Sequence, residues 1–555
     1  MMVKRGDGVR RGDGGIVSKN LRQYLRPPRL TPSPSKRITD FTISSLFFHK
    51  PLIKTSYHPY HVTQSNSGGY AMRNEKVSGI VMAAVISALF TITGCRTPVV
   101  QNTVSENSNK PADAQIAVTE DETPGEAFDN SENGGHAIEA DGIEDGYSNV
   151  TVTKTGDSEG DEADFYGENS AVFATNGAHL ALSGAKITTD GTHANAVFSY
   201  GEGTVIDISD SEIETSGDCS GGIMTTGGAT MNANNLLIHT TGRSSAAIRS
   251  DRGGGIVTVN GGDYTTDGLG SPAIYSTADI TVNDATLTST KSQGIVVEGK
   301  NSVELNNVEL SADNNQHNND KSDYYQAVMI YQSMSGDADE GLSEFSASEG
   351  SITNANGDIF FVNNTATSIT LSDVAITNNG GGAFLRAAAA GWGNEGSNGG
   401  KVNLTASNQQ IDGDMIVDDV SALNLYLKDG SSFTGAINPD GAASDVYVDL
   451  SGGSRWTLTA DSNIKSLACD PDSIDLNGYT LTVDGKSYAE GSASEGQAIE
   501  IETEGNGNKE GMQAPPDNGM APPAKPDGDM PEMSGPKPPA KPNGPGGPTP
   551  PDKPN

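Results

Sequence analysis

The chain has 555 residues, 68 of them Gly, with 6% aromatic residues and a formal net charge of −37. Residues 1–94 carry 14 basic and 4 acidic side chains, which leaves 21 against 68, a net of −47, for the remainder. So acidic a body repels phosphate backbones, which argues against nucleic-acid binding; it suits a secreted surface protein able to recruit divalent cations.

In chain order, residues 1–71 are basic, lack periodicity and precede a second start at Met72; they read as a non-native N-terminal extension. Residues 72–94 have the build of a lipoprotein signal peptide. A charged start, Met72 to Lys76, leads into an apolar run from Val77 to Phe90, then into Ile92-Thr93-Gly94-Cys95, which resembles a bacterial lipobox. The apolar run is shorter than the roughly 20 residues of a spanning helix. Cys95 is therefore the expected lipidation site, and the expected location is extracellular, anchored to the membrane at the cell surface. Residues 95–145 are polar and acidic and predict a flexible linker.

From Ala171 to Ile416 a short phrase recurs ten times: a small or acidic residue, an apolar residue, then usually a larger one. Examples are Ala171-Val172-Phe173, Ala196-Val197-Phe198 and Ala273-Ile274-Tyr275. The middle residues are 25, 26, 25, 26, 21, 33, 31, 25 and 31 positions apart. Such a period marks stacked supersecondary units that bury a core only together. Each unit holds three short apolar–polar alternations bounded by Gly, Asn, Asp or Ser, which are strand signals. Residues 146–487 thus predict an all-β, single-stranded parallel β-helix solenoid of about ten or more coils. The middle residues, from Val172 through Ile359, Phe384 and Met415, would form one inward column. An antiparallel sandwich also uses short, evenly spaced strands, but it does not require the same phrase in every unit. Cys219 and Cys469 lie too far apart for a disulfide across stacked coils and read as buried small residues. Residues 488–555 are acidic, then rich in Pro and Gly, and predict a disordered tail.

If the middle residue points inward, the next points outward. The outward column then carries Phe173, Phe198, Arg249 and Tyr275, and two positions on come Tyr200, Asp251, Glu298 and Tyr331. Flat rings and charged groups along one exposed face could stack on sugar rings and bond hydroxyls or carboxylates; equally, stacked aromatics could lie under a loop and only stabilise the coils. Arg249, Asp251 and Arg252 form the densest charge cluster and could clamp an acidic sugar, or simply make a salt-bridged turn. Two larger loops, Ser333–Gly341 and Ala387–Gly400, leave the same turn two coils apart, hence within roughly 10 Å of one another. The second holds Trp392, a candidate ligand-gripping ring. Arg386 enters it, turned inward by the phrase, so a bulge or a slip in register is expected there. Near the start, Asp157, Glu159, Asp161, Glu162 and Asp164 could hold Ca²⁺, although their spacing does not match an EF-hand.

The segment Ile474-Asp-Leu-Asn-Gly-Tyr-Thr-Leu-Thr-Val483 resembles coils of right-handed, pectate-lyase-like β-helices. Over residues 146–487 the chain resembles bacterial surface lipoproteins with an adhesin-like β-helix, and is similar to calcium-dependent, polysaccharide-binding β-helix proteins of anaerobic plant-fibre-degrading bacteria. The resemblance implies right-handed coils and a partner that is polysaccharide or a host or neighbouring cell surface. The Arg-x-Pro-x-x-Arg and Gly-His-Gly patterns of the related lyases and hydrolases are absent, and no catalytic residue is assigned. A lipid-anchored binder is the leading expectation, with a polysaccharide lyase and a ligand-free spacer as alternatives.

Overall fold

A computed structural model describes residues 125–501. The N-terminal extension, the signal peptide, Cys95 and the tail beyond residue 501 lie outside the described residues. Within them the chain is nearly all β and coils as a parallel β-helix with three faces. Face one is an eleven-stranded parallel ladder from Ile138–Asp141 to Met415–Val417. Face two climbs from Glu144–Ser148 to Ser466–Cys469, and face three from Ala127–Asn130 to Ala375–Asn378. The first coil therefore begins at Ala127, inside the stretch expected to be linker; its strand Ala127–Asn130 pairs in register with Thr151–Lys154.

The corners explain why strands stay short. Between faces two and three the turn residue adopts positive φ in coil after coil, at Asn149, Gly184, Asp210, Asn235, Gly261, Asp284 and Asn307. Asn, Asp and Gly tolerate that conformation best, and stacked copies bond one another: Asn235 Nδ2 donates to Asp210 Oδ1, and Asn307 Nδ2 to Asp284 Oδ1, both at 2.7 Å. Beside them an exposed amide ladder runs Asn306 to Asn283 to Asn260 to Asn234, each step 3.0 Å.

Inside the corner between faces three and one, serines do the same work in the dry interior. Ser245 Oγ accepts from Ser220 N at 2.9 Å and donates to Gly217 O at 3.0 Å, and Ser271 Oγ accepts from Ser245 N at 2.9 Å and donates to Gly242 O at 2.8 Å. Each hydroxyl satisfies a donor and an acceptor of the coil below, which buried backbone requires.

The inward column holds as expected through Val172, Val197, Ile223, Ile248, Ile274, Ile295 and Val328. It then departs from the phrase. Val328 pairs with Phe360, Phe360 with Leu385, and Leu385 with Met415. Ile359 and Phe384 instead occupy the corner position that Ala fills in most coils, and are fully buried there. The slip turns Arg386 outward, beside Phe361 and Ile416.

Ser245→Ala should strand the Ser220 N–H and the Gly217 carbonyl, and so destabilise the fold by about 1–3 kcal/mol. Urea denaturation followed by far-ultraviolet circular dichroism measures this; a change under a few tenths of a kcal/mol would remove the serine ladder from the stabilising interactions.

Candidate functional site

The outward side of face one is not an open surface. At its early coils it is roofed by the helix Asp161–Tyr166. Phe173, Phe198 and Met224 form a small apolar cluster beneath it, with Tyr200 at the margin and Tyr166 edge-on to Tyr200 at 5.5 Å. The helix stops at Gly167, φ +76°, where a Cβ would come within 2.8 Å of the Phe173 ring and 2.9 Å of the Phe198 ring. Thr226 Oγ1 ties it down by donating to Phe165 O at 2.7 Å. At the later coils, Trp392 folds in from the Ala387–Gly400 loop and meets Tyr331 edge-on at 5.2 Å; with Val296, Met329 and Phe361 they make a second cluster. Trp392 is 8% exposed, so it packs rather than projects.

Along the same side runs a row of buried and half-buried charge. Arg249 bonds Asp251 Oδ2 through Nε at 3.2 Å and through a terminal nitrogen at 2.8 Å, while its other terminal nitrogen is buried without a partner. Burial pushes the Asp251 carboxyl up to about 6 in spite of Arg249; burial lowers the Arg249 guanidinium, but Asp251 and Asp164 outweigh it and raise it overall. Arg252 joins the helix to the Ser333–Gly341 loop: it bonds Asp161 on the helix at 3.1 Å and Asp337 on the loop at 2.8 Å, and lies 3.7 Å over the Phe165 ring. Further along, Glu298 is 1% exposed and accepts from the Tyr275 and Tyr331 hydroxyls at 2.5 and 2.8 Å. Burial and the neighbouring negative charge push both phenols well above their ordinary range. Arg386 pairs with buried Asp358 at 2.6 Å and lies 4.3 Å over the Tyr324 ring.

Of the residues singled out in the sequence, Phe173, Phe198, Asp251 and Glu298 are buried and cannot meet a ligand from solvent without a roof opening. Tyr331 and Trp392 are as buried as Phe173, at 9% and 8%, but with Tyr275 they edge a narrow slot of about 110 Å³. The rest of its wall comes from residues the sequence reading passed over: Tyr324, His317, Gln293, Gln326, Asn314 and Asn318. Most belong to the segment that makes the step of 33 in the repeat, which was the available signal. Gln326 is 1% exposed, and its Oε1 has no hydrogen-bond partner. The two loops placed at one turn do flank a common groove of about 340 Å³, with Gln332, Glu340, Asn364, Asn394 and Lys401 in its wall.

The five carboxylates considered for calcium do not converge. Asp157 accepts from Thr192 N at 2.8 Å, Asp161 turns to Arg252, and Asp164 turns to His193. These three point to three different partners, and among the described residues the five carboxylates do not form a group around one point, as the six to eight oxygens of a Ca²⁺ site must. Cys469 is buried as expected, whereas Cys219 is partly exposed; both are free thiols.

Compared with known proteins, the chain matches no family model and no curated sequence.

Arg249→Met leaves Asp251 buried without its countercharge, and should cost about 3–5 kcal/mol at pH 7. The wild-type carboxyl sits above its unfolded value of about 3.9, so its own contribution to stability is fully present below about 4 and is lost as pH rises through about 6. In the variant the carboxyl takes up a proton more readily still, so the penalty should shrink at pH 5. Denaturation midpoints at pH 5 and 7 test this; an equal penalty at both would contradict the assignment.

Proposed function

We propose that the protein is a cell-surface binding protein, held at the membrane through lipid on Cys95, that takes a polysaccharide chain at the slot on face one. The observation that carries this reading is the slot's wall. Tyr275, Tyr324, Tyr331 and Trp392 supply ring surface, carboxamides from Gln293, Asn314 and Asn318 supply donors and acceptors, and Gln326 contributes a buried acceptor with no partner. Planar apolar surfaces with a few convergent amides match the apolar faces and equatorial hydroxyls of sugar rings. A volume of about 110 Å³ is well below the roughly 300–1,000 Å³ of pockets that enclose small ligands. The slot therefore suits the edge of one unit of a chain lying across the surface.

Binding is favoured over lyase chemistry because Arg249 and Arg252, the arginines that could serve a lyase as its base, are both engaged. Arg249 is ion-paired with Asp251, and Arg252 with Asp161 and Asp337. These pairs hold both guanidiniums above their ordinary range against the lowering effect of burial, the opposite of what a proton acceptor needs. Calcium is not part of the proposal, since Asp157, Asp161 and Asp164 turn to three different partners.

Tyr324 is the exposed ring of the slot, at 37%. Tyr324→Ala should weaken retention on polysaccharide columns by about tenfold, the loss of one stacked ring at about 1 kcal/mol or slightly more, while leaving the thermal midpoint near wild type. Tyr479→Ala, which removes an equally exposed ring outside the slot, should change nothing. Equal retention of the Tyr324 variant and wild type, or no retention on any acidic or neutral polysaccharide, would defeat the proposal. Release of unsaturated products absorbing in the ultraviolet would replace it with the lyase reading.

A further inference from the structure

Where the helix Asp161–Tyr166 lies against the coils, three side chains of different chemistry meet. Asp164 comes from the helix, His193 from the corner of one coil and Cys219 from the same corner of the next. One ligand atom from each lies within 4.8 Å of the other two, and among the described residues this is the group of three that meets that condition. His193 is 9% exposed. Its Nδ1 is 2.8 Å from Asp164 Oδ1, an ion-pair contact in which the hydrogen bond is poorly aligned, and it has no other partner. A buried imidazole nitrogen with a poorly aligned partner is only partly satisfied, so it gives up little by turning to a better one. The corner is also held in an unusual conformation: His193 and Cys219 have φ of 57° and 56°, and the next two coils place Ser244 at 54° and Gly270 at 66°.

We propose that Asp164, His193 and Cys219 bind one borderline divalent transition-metal ion of the Zn²⁺ kind. The donor set is one oxygen, one nitrogen and one sulfur, which selects such an ion over Ca²⁺ or Mg²⁺. Tetrahedral ligands at 2.0–2.3 Å from Zn²⁺ are about 3.3–3.6 Å from one another. Shifts of about an ångström, which open the 2.8 Å His193–Asp164 pair and draw in any of the three atoms that lie farther apart, bring them round a common centre, with the fourth position left to water or a ligand. Charge also balances. Asp251 already neutralises Arg249, so Asp164 and the Cys219 thiolate offset the two positive charges, and binding releases the thiol proton. Because Asp164 rides on the helix while His193 and Cys219 belong to the coils, the ion would staple the roof over Phe173, Phe198 and Met224.

Titration of the full chain with Co²⁺ and Zn²⁺ tests this. Wild type should bind about one equivalent of Co²⁺ with a thiolate-to-cobalt charge-transfer band, and Zn²⁺ should displace it. Cys219→Ser should abolish the band, and His193→Gln should weaken binding by at least about tenfold. Cys469→Ser should leave the band intact. Ser is compatible with the Cys219 backbone, since Ser244 holds the same conformation one coil on, so loss of the band cannot be put down to misfolding if circular dichroism is unchanged. As an independent readout, Zn²⁺ should slow amide exchange in residues 161–167 of wild type and not of Cys219→Ser. A band that survives Cys219→Ser, or binding only at millimolar metal, overturns the proposal.

Discussion

Everything in this structure depends on one constraint: each coil must present to the next a backbone edge and a set of corner groups that match its own. A single coil of about 25 residues cannot bury its apolar side chains or satisfy its own amides. Once like residues stack, both problems have one answer. Val197 lies between Val172 and Ile223, Asn283 between Asn260 and Asn306, and Ser245 between Ser220 and Ser271. The apolar column supplies the larger gain, roughly 1.5–3 kcal/mol for each Val or Ile fully buried. The polar ladders fix the register, because a shift of one residue would leave every corner group facing the wrong neighbour.

That constraint explains what the sequence could and could not reveal. The inward column was legible because the core demands a β-branched or aliphatic residue once per coil and tolerates little else. The slip at Phe360 was not, because Ile359 and Phe384 are apolar as well and either residue of each pair could be chosen from sequence alone. The charge on Arg386 was the one local sign of it, and its observed pairing with Asp358 accounts for the conflict. The convergence of the two loops on one groove was likewise readable, since stacking fixes the distance between coils.

The roofs were less legible for a different reason. Alternation says which side chains leave the coil, and cannot say whether solvent or another segment awaits them. Phe198 and Tyr331 look the same in sequence whether exposed or covered. Hints were present: outward Phe173, Phe198 and Met224 make an apolar patch on successive coils that suits a covered face better than an open one, and the stretch around Gly160 to Gly167 breaks the strand pattern with a run of acids. Cys219 and His193 were still harder to see as a pair. Their proximity rests on two successive corners and on a helix residue distant in sequence.

The covers leave little of the outward side of face one open to solvent. The helix and its Arg252 link to the Ser333–Gly341 loop close the early coils, and Trp392 closes the later ones onto Tyr331. The slot is what lies between the Trp392 loop and the segment carrying His317 and Tyr324. Its rings are braced from behind: Tyr275 and Tyr331 are fixed by their shared bond to Glu298, and Tyr324 by Arg386 stacked on its face. Arg386 is itself held by Asp358. Rings so held give up little freedom on meeting a ligand, which lowers the entropic cost of binding. On the proposed binding reading, the buried Glu298 and Asp358 would act indirectly, by fixing the angle at which three of the four rings face the slot.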